Sequence, residues 1–126
     1  MKWRKVGVLS KIIVKKYKLY EHLDKDILVY DDRIKHVKNR YLKEFKNVEN
    51  IMYAYQNIPM IIASPDYVFL NKKNNSLEYY KKLKENFCVV VRINKGTVLK
   101  VKSRYLVTDN KIKNRKKQEL DEMAIC

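Results

Sequence analysis

The chain has 126 residues, enough for one modest core and too few for two ordinary domains. Hydrophobic residues at 46% and aromatics at 11% exclude a wholly disordered chain, and 2 Gly with 2 Pro exclude collagen-like or linker-like material. Lys and Arg number 29 against 14 Asp and Glu, so the formal net charge of +15 and a pI near 9.8 point to a polyanionic partner.

The N-terminal residues Met1 to Lys5 are basic, but the apolar stretch from Val6 to Val14 is broken by Ser10 and Lys11 and runs into Lys15 and Lys16, which argues against a secretory signal. No stretch is long enough to cross a bilayer, so no membrane partner is expected. Cys88, inside an apolar run, and Cys126 offer neither a disulfide framework nor a paired-ligand spacing. A reducing cytoplasmic setting is the expectation, with Cys88 a buried small hydrophobe. Charge is uneven along the chain. Residues 1 to 20 carry Lys2, Arg4, Lys5, Lys11, Lys15, Lys16 and Lys18 with no acid, and the stretch from 86 to 117 holds a second excess opposed only by Asp109. The block between 21 and 66 is nearly neutral, so the excess reads as a patch rather than as general solubilising charge.

In that central block Ile34, Val37, Tyr41, Leu42, Phe45 and Val48 recur at three- and four-residue steps, predicting a helix capped by Asp31 or Asp32. A second helical stretch is predicted over Glu49 to Tyr55. Asn57-Ile-Pro59 then reads as the cap and early proline of a short turn of helix containing Met60, Ile61 and Ile62, ended by Ser64-Pro65-Asp66. Beyond it the pattern changes to strands at Tyr67 to Leu70, Leu77 to Leu83, Phe87 to Ile93 and Thr97 to Val107, with a turn-rich Asn71 to Ser76. The whole chain is taken as one domain, with a basic tail from about residue 109 whose Lys111 to Lys117 run is helical or loose.

A three-residue loop Asn94-Lys95-Gly96, with its glycine left-handed, would set Ile93 against Thr97, Val91 against Leu99 and Val89 against Val101. One face then becomes apolar throughout. The other carries Cys88, Val90 and Arg92 beside Val98, Lys100, Lys102 and Arg104. Cations at alternate strand positions stand roughly 6.6 Å apart, close enough to engage successive phosphates.

His36 lies about 160 to 200° round the predicted helix from its apolar stripe, on the side of Arg33 and Arg40. Neighbouring arginines favour a neutral imidazole, which suits a proton acceptor, and Arg40 one turn on could hold a phosphate against it. A solvated histidine on a basic helix face satisfies the same spacing. His22, in Tyr20-Glu-His-Leu, has no such company. No phosphate-cradling glycine loop, zinc pairing or His-Glu-x-x-His helix is present, so neither cofactor nor metal is expected. Asp31-Asp32 and Asp66 have capping and turn duties. Most of the ten tyrosines read as core or rim; Tyr105, beside Ser103, Arg104 and Thr108, is placed where hydroxyls and cations could orient a phosphate.

The segments Arg33-Ile-Lys-His36-Val-Lys-Asn-Arg40-Tyr41, Ile58-Pro-Met-Ile-Ile62-Ala-Ser-Pro65-Asp66-Tyr-Val68, Val89-Val-Val91 and Lys102-Ser-Arg-Tyr105 before Lys111-Ile-Lys113 come in an order of their own. Over roughly residues 6 to 117 that order resembles the phage-associated branch of the barnase, EndoU, colicin and RelE-like nuclease superfamily. The resemblance implies an α+β fold, N-terminal helices packed on a four-stranded antiparallel β-meander, and metal-independent RNA cleavage. It matches His36 and Arg40 to the helix pair, Ser103 and Tyr105 to the late-strand hydroxyl residues, and Lys111 and Lys113 to the basic stretch. Where the family often has a second histidine after the arginine, this chain has Tyr41. That departure puts the acid role on Tyr105 or Arg40, or marks a protein that binds RNA without cutting it.

The chemistry so implied is attack of the ribose 2′-hydroxyl on its own phosphate, giving a 2′,3′-cyclic end, with Arg33, Arg92, Lys100, Lys102, Arg104, Lys111 and Lys113 along the nucleic acid. RNA is the expected partner, with DNA as a second polyanion and an acidic immunity or inhibitor protein as a further one. The rival reading is a non-catalytic basic nucleic-acid-binding protein, or an inhibitor or regulator carried by a mobile element. Cleavage of RNA in EDTA separates the two.

Overall fold

The computed structural model describes residues 3–30, 56–83 and 86–125, with Arg104, Tyr105 and residues 120–125 described by their backbone alone. The expected helix from Ile34 to Val48, its Asp31 or Asp32 cap and the stretch from Glu49 to Tyr55 lie outside the described residues.

Strand β1 (Trp3–Val8) leads into helix α1 (Lys11–Tyr17), a single 3₁₀ turn (Tyr20–His22) and strand β2 (Asp26–Tyr30). Ser10 caps α1, its hydroxyl accepting from the Ile13 N–H at 3.4 Å. The helix stops where Lys18 turns left-handed and the Leu19 N–H closes on the Val14 carbonyl at 2.9 Å. Helix α2 (Ile58–Ala63) starts with Pro59 in its first turn, as the sequence predicts, and buries Ile58, Ile61 and Ile62. Strands β3 (Tyr67–Asn71), β4 (Ser76–Lys82), β5 (Asn86–Arg92) and β6 (Val98–Leu106) follow, and helix α3 (Asp109–Ile125) closes the chain. None of the described helices is long and apolar enough to cross a membrane.

The six strands form one mixed sheet in the order β1-β2-β6-β5-β4-β3. This corrects the expected four-stranded antiparallel meander. The run from β3 to β6 is antiparallel as expected, but β2 joins the free edge of β6 in parallel, Ile27 beside Leu99, and β1 adds a sixth strand. Both N-terminal strands are short, and β1 slips register between Lys5 and Gly7, so neither displays a sustained alternation. At Gly7 a Cβ would stand 2.7 Å from Ile62 Cγ2, so the bare backbone there lets β1 close on α2.

On one face, Val6, Leu9, Ile27, Val29, Leu77, Tyr79, Val89, Val91 and Leu99 meet Ile13 and Val14 of α1 and the three isoleucines of α2. The opposite face holds a smaller cluster of Phe69, Tyr80, Cys88 and Val90, against which Val107 and Ile112 pack. Cys88 is fully buried there, as expected. The C-terminal run is therefore a docked helix and not a loose tail. Glu78, buried among strand residues, accepts from Arg115 of α3 at 2.9 Å, from the Tyr80 hydroxyl at 3.1 Å and from the Asn71 amide at 3.3 Å. The Arg115 guanidinium also lies 5.2 Å from the centroid of the Phe69 ring. At the other end of the described side chains of α3, Glu119 accepts from Lys16 at 3.3 Å and from the Tyr17 hydroxyl. Burial, reinforced by Glu119, pushes the Tyr17 phenol well above its usual range, which keeps it a donor.

The closing hairpin also departs from its expected register. Arg92 pairs with Lys100 and Val91 with Val101, after which a bulge shifts β6 so that Val90 faces Ser103, Val89 faces Arg104 and Cys88 faces Tyr105. Gly96 is not left-handed. Ile93 does not pair with Thr97: the β5–β6 pairing begins at Arg92–Lys100, while Ile93 extends the β4–β5 register, its N–H bonding the Asn75 carbonyl at 2.9 Å and the Asn75 amide returning to its carbonyl at 3.1 Å. Asn94 turns the loop instead, its side-chain oxygen accepting from the Gly96 N–H at 2.9 Å.

Candidate nucleic-acid interface

The bulge and α3 divide the second face of the sheet into two unequal environments. Over β3, β4 and β5 the apolar cluster of Cys88 and Val90 is covered, so the expected basic face is not continuous. Toward β1, β2 and β6 a cleft of about 260 Å³ opens, lined by Trp3, Val29, Tyr30, Arg92, Lys100, Val101 and Lys102. Arg92, Lys100 and Lys102 are exposed, and no carboxylate is among these lining residues.

Each wall follows from the pairing. Trp3 stands directly across from Tyr30 in the β1–β2 ladder, and the two rings lie 4.9 Å apart at centroids, tilted by 54°. Lys100 lies beside Leu28 of β2 and across from Arg92 of β5. Its ammonium is 5.0 Å from the centre of the Trp3 ring. Like charges directly opposite in an antiparallel pair oppose strand association, so the Arg92–Lys100 pair works against folding. An anion bound between them reverses that sign.

A larger cleft of about 550 Å³ runs between α3 and the ends of β3, β4 and β5, and Lys113 lines it with Lys81, Lys82 and Lys116. Two of these lysines are engaged internally. Lys81 donates to the Ser64 carbonyl at 2.7 Å and lies 3.6 Å from Asp66, while Lys116 sits 3.8 Å from the centre of the Tyr67 ring. Asp109 accepts from the Asn86 amide at 2.6 Å. Asp66 also accepts from the Lys82 N–H at 2.9 Å and so ties the start of β3 to the end of β4, a cross-strand role where the sequence suggested a turn. With two carboxylates in its lining and Lys81 and Lys116 already partnered, this cleft is less purely cationic than the smaller one.

The expected site residues therefore separate. Arg92, Lys100 and Lys102 come together; Lys113 lies in the other cleft, and Lys111, whose N–H caps onto the Thr108 hydroxyl at 3.2 Å, lines neither. Ser103 is half-buried opposite Val90, and the backbone of Tyr105 pairs with Cys88. The bulge places Arg104 opposite Val89, out of step with Lys100 and Lys102. His36, Arg40, Arg33 and Tyr41 lie outside the described residues.

Trp3 and Tyr30 are the interface residues that pattern reading passes over. The available signal was the single tryptophan, set between Lys2 and Arg4 at the basic end of the chain. His22 has more company than its sequence neighbours reveal. It is buried, Lys25 donates to its Nδ1 at 2.7 Å, and Glu21 lies 3.5 Å from its Nε2. Burial first and Lys25 second lower its pKa below the usual imidazole value, with Glu21 opposing. Lys25 also donates to the Asn94 carbonyl at 3.2 Å, so this group braces the hairpin loop.

Among the described residues no cluster of three or more His, Cys, Asp or Glu side chains is placed to hold a metal ion. Comparison with curated proteins found no match, and comparison with solved structures found none. The family model of the phage-Barnase-EndoU-ColicinE5/D-RelE like nucleases matches residues 4–114, which takes in the six strands, apart from Trp3 at the start of β1, and the beginning of α3. With that match over most of its length, the chain belongs to the phage-Barnase-EndoU-ColicinE5/D-RelE like nuclease family.

Proposed function

We propose that this chain is a metal-independent endoribonuclease that cleaves RNA by attack of the ribose 2′-hydroxyl. The observation that carries the reading is the carboxylate-free cleft in which Arg92, Lys100 and Lys102 converge, in a chain of a nuclease family. Three cations without a countercharge suit the backbone of a nucleic acid, and in a partly enclosed cleft they would stabilise charge developing on phosphate oxygens.

In the proposed step the 2′-oxygen forms a bond to phosphorus as the bond to the 5′-oxygen breaks. His36 takes the proton of the 2′-hydroxyl, and the departing 5′-oxygen receives a proton from Tyr105 or Arg40. Arg40, with Arg92, Lys100 and Lys102, holds the phosphate. The products are a 2′,3′-cyclic phosphate and a free 5′-hydroxyl.

Labelled RNA incubated with the protein in EDTA should yield fragments with cyclic phosphate ends. A general base contributes about 10²- to 10⁴-fold, so His36→Ala should slow cleavage by that factor while the protein still melts cooperatively. Intact RNA held in a salt-sensitive complex would identify a binder without catalysis, and cleavage only after a divalent metal is added would overturn the metal-independent mechanism.

A further inference from the structure

We infer that the Trp3–Tyr30 pair is a stacking site for an unpaired nucleobase, so that the cleft takes single-stranded rather than duplex nucleic acid. The inference rests on the reading of the cleft as a phosphate site and adds what holds the base.

Trp3 is the only tryptophan of the chain and is left 38% exposed at the start of an edge strand. It is not an isolated surface aromatic. Tyr30 flanks it at 4.9 Å, and Lys100 lies over it at 5.0 Å. At 4.9 Å the two rings leave no room for a base between them, so a base would stack on the exposed part of Trp3, with Tyr30 as its flank. In a nucleotide the base and the phosphate are joined through one sugar. The cleft reproduces that adjacency, because the lysine that touches the indole stands across from Arg92. About 260 Å³ lies just below the size of ordinary small-molecule pockets, a scale that suits a single nucleoside. Bases in a duplex are already stacked and must be extruded before they can enter. Stacking on an aromatic side chain is open to any base, since each has a π-face, so the site selects strandedness more than sequence.

The test uses the full chain and 2′-O-methyl oligonucleotides, whose blocked hydroxyl cannot attack the phosphate. Trp3 emission should be quenched by a single-stranded oligomer and unchanged by a blunt duplex. By anisotropy of labelled oligomers, the base-bearing strand should bind roughly 5- to 100-fold more tightly than an abasic strand of equal length and charge. Trp3→Ala should bring the first down to the level of the second and leave abasic binding unaltered. Trp3→Phe, which retains a ring, should keep part of the difference and carries the comparison if the alanine variant does not melt cooperatively. Equal affinity of the two strands for the wild type, or the same loss on both in the variants, overturns the stacking site. Failure of the phosphate reading looks different: it leaves abasic binding unaffected by Lys100→Gln with Lys102→Gln. Failure of the nuclease reading is intact RNA in EDTA, whatever the base-bearing strand does here.

Discussion

His22 shows how one buried side chain carries a condition on stability. Its Nδ1 accepts from the Lys25 ammonium, so Nε2 bears the proton and faces Glu21. Protonating Nδ1 would remove the acceptor and place two cations 2.7 Å apart in a buried position. The depressed folded-state pKa therefore means that the unfolded chain takes up a proton more readily than the folded one. The contribution is complete above about pH 6.5, the unfolded value, and is lost as pH falls through the lower folded value. Thermal melts at pH 7 and pH 5 should show the wild type losing more melting temperature than His22→Gln, which cannot titrate. Parallel losses would assign the acid sensitivity to other groups. Arg92 and Lys100 show the opposite use of charge at the same scale: directly opposite in an antiparallel pair, they work against the strand pairing they sit in.

Helix α3 turns on a single buried acceptor. Glu78 meets Arg115, Tyr80 and Asn71, and its side chain and that of Arg115 are only 10% and 14% exposed. Glu78→Ala leaves the guanidinium and the Tyr80 hydroxyl without their carboxylate beneath the helix. Loss of one partner of a buried ion pair costs about 3–5 kcal/mol, so urea unfolding should shift by that amount. Arg115→Met should cost less, because its stem still covers Phe69; equal losses would show that the pair matters chiefly through its charge. The elements themselves were unevenly legible. Alternation located β3 to β6, and Pro59 located α2, because those signals are local. The register of β5 on β6 was not, since the pairing begins only at Arg92–Lys100 and a bulge beyond Val91 shifts the rest, and neither feature has a local signal. Val89, Val91 and Leu99 still reach the core, because the pairing next to the loop has the parity that keeps apolar residues on one face. The docking of the basic tail was hidden too: its mean hydropathy is low, and what fixes it is Ile112 in the smaller cluster together with polar contacts of Arg115 and Glu119 to residues far away in the chain.

The parallel pairing of β2 with β6 has its consequence at the scale of the molecule. Along the chain the positive excess sits at two ends, residues 1 to 20 and 86 to 117, with a neutral block between. By inserting β2 beside β6 and carrying β1 on β2, the sheet brings the first end within reach of the second. A meander alone would leave them apart. The cleft is thus made of Trp3 from one end and Arg92, Lys100 and Lys102 from the other, which is why neither strand pattern nor charge count could assemble it. Binding through such a patch should follow counterion release, with log Kd rising linearly with log salt at about 0.7 per phosphate contacted on a single strand. Replacing Lys100 and Lys102 together by Gln should therefore lower that slope by about 1.4 as well as weakening binding at every salt concentration. Lys72→Gln, in the exposed turn between β3 and β4 at the far edge of the sheet, removes the same kind of charge away from the cleft. Titrations of a single-stranded 2′-O-methyl oligomer between 50 and 300 mM salt distinguish a local patch from a diffuse field. If the slope falls equally with Lys72→Gln, charge for charge, the net +15 acts as a whole and the cleft has no privileged hold on the phosphates.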